Sequence, residues 1–393
     1  MWPILSILCL TLLFPPSEAQ ALDEPLFTCP LPKCPCPSTS RRTAPVVGLA
    51  LEIGYGTASI KYNNGTIQPV SKINGSPQYI NLMKHYATSP INGMSDGSRT
   101  PPGVDERDIS TRNTFFLYKT KCYIRKLLFL PSTPEIGILA DMVSQLRREV
   151  EATLGHRVKG VAISSPDRVR LTVYEIRDIL DCLWMEDLVS ERKKTVFNQL
   201  FALPAATAAY GDGLCNSYTD AYQCAREEYY FPRRWTLQLD FSRHGLSAAM
   251  EAMGTARSGW ARADFVDLNL GEDDRPREDA LAEDEFWRGV QTRIRHFVEA
   301  NHRPEKLYLT GESAAELRFL EAVRNALGDL VSPPVLEVLN GAATTTNQGF
   351  TFTTSMGAAE FAKRRQEGMA RCQLPDECSG KAAPKESRPG GEL

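Results

Sequence analysis

"LALEIGYGTAS", residues 49–59, runs an apolar strand into an acid, sets two glycines two residues apart, and ends in small hydroxyl residues. A turn of this kind between antiparallel strands can aim successive backbone N–H groups at one point. That makes an anion nest, and glycine lets a phosphate approach the chain. An acid beside the nest can hold Mg²⁺ through water, because the ion gives up its hydration reluctantly. Glu52, Gly54, Gly56 and Thr57 are therefore the first candidate ligand residues.

Working outward, the apolar patterns repeat. "PVVGLALEI" reads as a strand, "TASIKY" as a second and "TIQPV" as a third, the last two joined by Asn63-Asn64-Gly65, a strong hairpin signal. Residues 87–113 are rich in Ser, Gly, Pro and Asp and read as an exposed loop. "PEIGILADMVSQLRREVEATLG" has helical spacing, with Ile136, Ile138, Leu139, Met142, Val143, Leu146 and Val150 on one face. "VKGVAISSP" is a buried strand closed by Pro166, "RLTVYEIRDILDCLWM" a helix, and "QLFALPAATAAYGDG" a small-residue apolar segment ending at glycine. The order then recurs: "RWTLQLDF", "GLSAAMEAM" and "ARADFVDLNL" as strands, "DEFWRGVQTRIRHFVEA" as a helix, "EKLYLTG" as a strand, "SAAELRFLEAVRNAL" as a helix from Ser313, and "FTTSMGAAEFAKRRQEG" as a closing helix. Two halves of the same order imply a duplicated α/β unit. The place equivalent to the first turn is Asp240-Phe241-Ser242-Arg243-His244-Gly245. Two such turns facing each other would grip the phosphates of a nucleotide from both sides.

These stretches, in this order, resemble the ATPase domain shared by actin, sugar kinases and the seventy-kilodalton heat-shock chaperones, the chaperone branch above all. Its D-L-G-T-T turn is similar to "LEIGYGT", its strand ending in V-P to "GVAISSP", and its E-P-T-A-A-A-x-A-Y-G segment to "LPAATAAYGDG". Its D-L-G-G-G-T-F-D turn is similar to "DFSRHGLS", its L-G-G-E-D segment to "LGEDD", its adenosine-packing L-V-G-G-S turn to "YLTGESAAE", and its last Y-G-A-A helix to "SMGAAEFA". The likeness runs over roughly residues 46 to 366. It implies a two-lobed fold of duplicated ribonuclease H-like units, with lobe I at 46–230 and lobe II with the return helix at 231–366. It also implies ATP or ADP with Mg²⁺ as the ligand. Carried onto this chain, the ligand residues would be Glu52, Gly54, Gly56, Thr57, Asp240, Ser242, Gly245, Gly311 and Ser313, with Glu52 and Asp240 toward the metal and as the acids of any catalysis.

The departures bear on function. The family's first-turn Asp is Glu52, one methylene longer; its acid before Pro is Leu203; the glycines of its second turn are Ser242, Arg243 and His244, and the closing Asp is Ser247. The Gly-Gly-Ser beside adenosine is Gly311-Glu312-Ser313. Phosphoryl transfer depends on positioning and charge neutralisation, so losing these groups argues against efficient hydrolysis. Arg243 and His244 could offer positive charge to a phosphate, or simply form a solvated turn.

The bulk numbers fit a soluble two-lobed protein: 393 residues, 42% hydrophobic, net charge −3, which gives no nucleic-acid surface. An apolar run, Ile4–Phe14, followed by small-x-small sites ending at Ala19 and Ala21, reads as a signal peptide over 1–21, leaving no membrane anchor after cleavage. Secretion fits the 10 cysteines. Cys29, Cys34 and Cys36 lie in a Cys/Pro-rich arm at 22–45, Cys372 and Cys378 in a polar tail at 367–393, and arm and tail are expected to be stapled together. The cysteine spacing matches no zinc pattern. Asn64 and Asn74 head glycosylation sequons. After the ATPase-like region the sequence holds only the tail, without the chaperones' peptide-binding domain, and this points to a non-catalytic or nucleotide-responsive module acting on a protein partner. Two rivals are an active ATP hydrolase or phosphotransferase and a serine esterase. The latter rests on "LYLTGESAAEL", near the elbow G-x-S-x-G, with Ser313 as nucleophile. All five histidines, however, precede Ser313, and a helix N-cap boxed by Glu316 is the plainer role for that serine.

Overall fold

The computed structural model describes residues 42–89, 124–125, 130–169, 171–189, 199–342 and 347–367. The signal peptide, residues 22–41 of the Cys/Pro-rich arm, residues 368–393 of the polar tail and residues 90–113 of the expected loop lie outside them. No helix among the described residues is long and apolar enough to cross a membrane.

Two sheets carry the molecule. The first is built from β1 (Val46–Leu51), β2 (Tyr55–Lys61), β3 (Ile67–Asn74), β4 (Gly160–Ser165) and β5 (Glu186–Asp187), in the order β3-β2-β1-β4-β5, with the short β6 (Leu200–Phe201) also on β4. The second contains β7 (Arg234–Ser242), β8 (Gly245–Thr255), β9 (Ser258–Asp267) and β10 (Lys306–Thr310), in the order β10-β7-β8-β9. In each sheet the first three strands form an antiparallel meander and the fourth returns parallel to the first. The duplication read from element order is thus present in strand order and direction. A parallel return needs a crossover, which is why a long helix precedes β4 and another precedes β10.

The helices are α1 (Pro77–Thr88), α2 (Pro134–Leu154), α3 (Val173–Leu183), α4 (Ala202–Ala209), α5 (Ala221–Tyr229), α6 (Ala280–Ala300), α7 (Leu317–Leu327), α8 (Pro333–Ala342) and α9 (Asn347–Glu367). α1 was not foreseen and takes the first residues of the expected 87–113 loop. Its start is nonetheless written locally: Ser76 accepts the N–H of Tyr79 and Pro77 opens the first turn, where its missing N–H costs nothing. Lobe I packs Leu49, Ile60, Met83, Leu139, Leu146 and Ile163 between sheet and helices; lobe II does the same with Leu239, Phe241, Met250, Val290, Phe319 and Val323.

α9 is buried nearly all round, which suits a helix at the centre rather than on a face. It crosses α4 so closely that a Cβ at Gly357 would collide with the carbonyl of Ala205. The small residues of "LPAATAA" therefore serve helix contact. Ser59 of β2 and Ser355 of α9 share a buried hydrogen bond of 2.8 Å, and Lys61 pairs with Glu360.

One expectation is corrected and another is left untested by the described residues. Ser313 does not cap a helix. α7 starts at Leu317 after Glu316, because Phe241 O takes the N–H of Ser313 at 3.0 Å and the chain turns once more before the helix. The disulfide within the described residues is Cys215–Cys224, with Cα atoms 5.0 Å apart, and it joins the loop after α4 to α5. The arm and tail cysteines lie outside the description.

Candidate functional site

The first turn is tight: the N–H of Glu52 donates to Tyr55 O at 2.8 Å, and the hydroxyl of Tyr79 donates to Glu52 O at 2.8 Å. The side chain of Glu52 is buried and points toward α9, where Thr354 Oγ1 donates to its Oε1 at 2.8 Å. Asp240 stands near the end of β7, between Ser247 on β8 and Thr310 on β10. Thr310 Oγ1 donates to its Oδ2 at 2.8 Å and accepts from Gln238 Nε2 at 2.9 Å. The strand order brings both acids to one cleft, with Pro166, Asp167, Arg168, Gln238 and Ser247 along its walls. About 280 Å³ is unfilled, counting the open mouth, and little more than a water-sized volume of it is enclosed. The two turns therefore do face each other.

Burial costs a carboxylate its hydration, and a second acid nearby adds repulsion. Burial first, then Asp240, pushes the Glu52 carboxyl up to about 8, against the hydrogen bond from Thr354. Burial likewise lifts Asp240 to about 6, opposed by the Thr310 hydroxyl and assisted by Glu312. The pair titrates as a unit in two steps, and at neutral pH it holds a proton.

The second turn decides what else can enter. Ser242 Oγ donates to Gly245 O at 3.3 Å, so its hydroxyl is spent within its own turn. The imidazole of His244 reaches across to the other lobe and lies over Gly54, where a Cβ would collide with its Cδ2. Glycine at 54 thus makes room for the His244 ring. Burial, then Lys84, pushes the His244 ring below the usual histidine range, against the pull of Asp273 3.7 Å away. Arg243 is committed as well: Nε donates to Asp273 Oδ1 at 2.9 Å, and its N–H to Glu312 Oε1 at 3.3 Å. Glu312 also pairs with Lys72 of β3, closing the rim between the lobes.

The other sequence candidates are placed as follows. A Cβ at Gly56 would come within 2.9 Å of Leu146 Cδ1 and Met142 Sδ, so its open side faces α2. Thr57 is fully buried in β2, its hydroxyl without a hydrogen-bond partner among the described residues. Gly245 closes the second turn opposite Ser242. Gly311, at φ +104, packs against the backbone of Phe241, where any side chain would clash. Asn64 is exposed, its Oδ1 accepting from Thr66 N and Oγ1, and Asn74 is exposed at the end of β3. His85 contacts Ser89, His156 contacts Leu154 O, His302 stacks on Trp235, and His296 is exposed on α6, so these histidines are engaged away from Ser313.

Two residues were passed over. Asp167 follows the proline that closes β4 and accepts the N–H of Leu203 at 2.9 Å, so a carboxylate stands beside position 203. It is paired with Arg262 of β9, which also pairs with Glu251 and covers the Phe201 ring at 4.2 Å. Arg168 meets Asp264 at 3.2 Å beside them. An acid directly after a strand-closing proline was the available signal for Asp167; nothing local marked Arg262.

No known family model matches the chain, and no curated protein matches it. Among solved structures it is similar to the ethanolamine utilization protein EutJ from Carboxydothermus hydrogenoformans. The identity is 13% and the TM-score 0.37, over 81% of this chain and 90% of that one. A likeness of that size carries no weight for activity.

Proposed function

We propose that this is an actin-type, heat-shock-chaperone-like ATPase fold turned into a non-catalytic interaction module, secreted or held in the secretory lumen. The duplicated strand order supports the fold. The contact of His244 with Gly54 supports the functional reading: the ring of one turn lies against the glycine where the proposed nest would take a phosphate. At the rim Glu312 pairs with Lys72 and accepts the backbone N–H of Arg243, whose guanidinium is paired with Asp273. A nucleotide response would require all of these contacts to open. The partner proposed is a protein rather than a nucleic acid, in keeping with the net charge of −3.

The Mg²⁺ that the fold family implies meets a mixed fit. Glu52 and Asp240 offer oxygens, and the buried Oε1 of Gln238 faces the same cleft with no hydrogen-bond partner among the described residues. That donor set suits a small hard cation held partly through water, and the ion would supply charge neutralisation between the two acids. The triphosphate does not fit while His244 stays in place. Magnesium-dependent ATP turnover tests the reading. None is expected from the purified protein, and turnover that disappears in Asp240→Ala would establish the rival ATPase instead.

A further inference from the structure

A second cluster of ligating atoms lies away from the cleft. Cys215 and Cys224 Sγ and a Glu228 carboxylate oxygen all fall within 4.8 Å of one another. Cys224 and Glu228 are four residues apart on α5, hence on one helix face, with Sγ 3.6 Å from Oε1. Cys215 comes from the preceding loop, and both sulfurs are buried. In the structure the sulfurs are joined as a disulfide.

The loop does not depend on that bond for its shape. Arg364 of α9 donates to the carbonyl of Cys215. Glu227 accepts the N–H groups of Asn216 at 2.5 Å and Ser217 at 3.5 Å, and Tyr218 bonds Glu367. Asp220 caps α5 by accepting from Tyr222 and Gln223. Opening the disulfide would therefore leave two thiols and a carboxylate converging on one point.

We propose that Cys215, Cys224 and Glu228 form a thiol-gated metal site. The disulfide form excludes metal, and the dithiol form takes one thiophilic divalent cation of the zinc class. The chemistry balances: a dithiol reductant passes two electrons and two protons to the disulfide, becoming a disulfide itself. The cation then displaces both thiol protons. Two thiolates, one carboxylate and a dication leave one net negative charge, and two guanidiniums stand ready for it. Arg257 Nε is 3.3 Å from Glu228, and Arg364 is 4.0 Å from the Cys215 sulfur. Nearby guanidiniums also favour the thiolate. Three protein ligands leave a fourth position open to water, as at zinc sites that bind an exchangeable ligand. This site is independent of the cleft, so its failure leaves the proposed function untouched.

Cobalt(II) is the probe, titrated anaerobically into the full chain before and after reduction by a phosphine, which takes its oxygen from one water. The oxidised chain should give no thiolate-to-cobalt absorption from this site. Because other cysteines also become thiols, the site is read as the difference between reduced wild type and reduced Cys215→Ser/Cys224→Ser, expected to be one equivalent. Glu228→Gln keeps both thiols and the fold, and should weaken that equivalent at least tenfold. Equal cobalt uptake by the double-serine variant, or an unchanged affinity in Glu228→Gln, overturns the proposal.

Discussion

Replacing Glu52 by Gln should remove a pH dependence that the wild-type protein carries. Folded, the Glu52 carboxyl keeps its proton up to about pH 8; unfolded, it releases it near its ordinary value of 4.5. Between these values the native state binds the extra proton, so stability is fully present below about pH 4.5 and declines as pH rises through 8. A shift of that size corresponds to about 5 kcal/mol at full burial. Water entering the cleft when the acid ionises will reduce this to about 2–3 kcal/mol. Glutamine has nearly the same shape and can still accept from Thr354, so Glu52→Gln should match wild type near pH 5 and exceed it by that amount near pH 8.5. Urea unfolding at several pH values, with a chelator present, measures it. Asp240, raised for the same reason, leaves a smaller slope in both proteins. Parallel curves for wild type and Glu52→Gln from pH 4.5 to 8.5 would refute the buried, neighbouring pair.

Other consequences follow from single contacts. Gly54→Ala drives a methyl into the His244 ring and should cost about 1–3 kcal/mol, as overpacking does; adding His244→Ala should recover a good part of it in a double-mutant cycle read by urea unfolding. Cys215→Ala/Cys224→Ala opens a short loop, the cysteines being nine residues apart, and should cost about 2–3 kcal/mol by chain entropy, seen as a lower midpoint under oxidising conditions only. Arg262→Met leaves Asp167 and Glu251 without their shared guanidinium. It should destabilise the fold by about 3–5 kcal/mol, whereas Arg243→Met, at an exposed pair, should cost under about 1 kcal/mol.

Much of the fold was legible because local chemistry and tertiary demand agree. The hairpin at Asn63-Asn64-Gly65 forms where expected, with Gly65 at φ +86. The apolar stripe of α2 is the face it buries, apart from Ile138, which is only half-buried. Failures came where long-range partners override local signals. Ser313 has the look of a cap, yet its N–H is taken by Phe241 in another strand. The helices α5 and α8 are short, and α5 buries little, so periodicity alone speaks weakly there; α1, by contrast, buries Tyr79, Leu82, Met83, Tyr86 and Ala87 at helical spacing, a signal the sequence does carry. Cys215 and Cys224 carried no spacing that selected them from the other cysteines.

The site divides in the same way. Glu52 and Asp240 were legible because each ends a strand at a repeated place in the order. The replaced residues of the second turn were also legible, as side chains where glycine was expected. Their arrangement was not. That His244 would pack against Gly54, that Glu312 would meet both Lys72 and Arg243, and that Asp167 would be held by Arg262 are contacts between distant segments. Such contacts leave no pattern in a single sequence.

Calorimetric titration of the purified protein with ATP and Mg²⁺, alongside His244→Gly, addresses the filled nest most directly. Wild type should give no binding heat up to millimolar nucleotide, and His244→Gly should bind measurably more tightly. Micromolar binding by wild type, with no gain in the glycine variant, would contradict it.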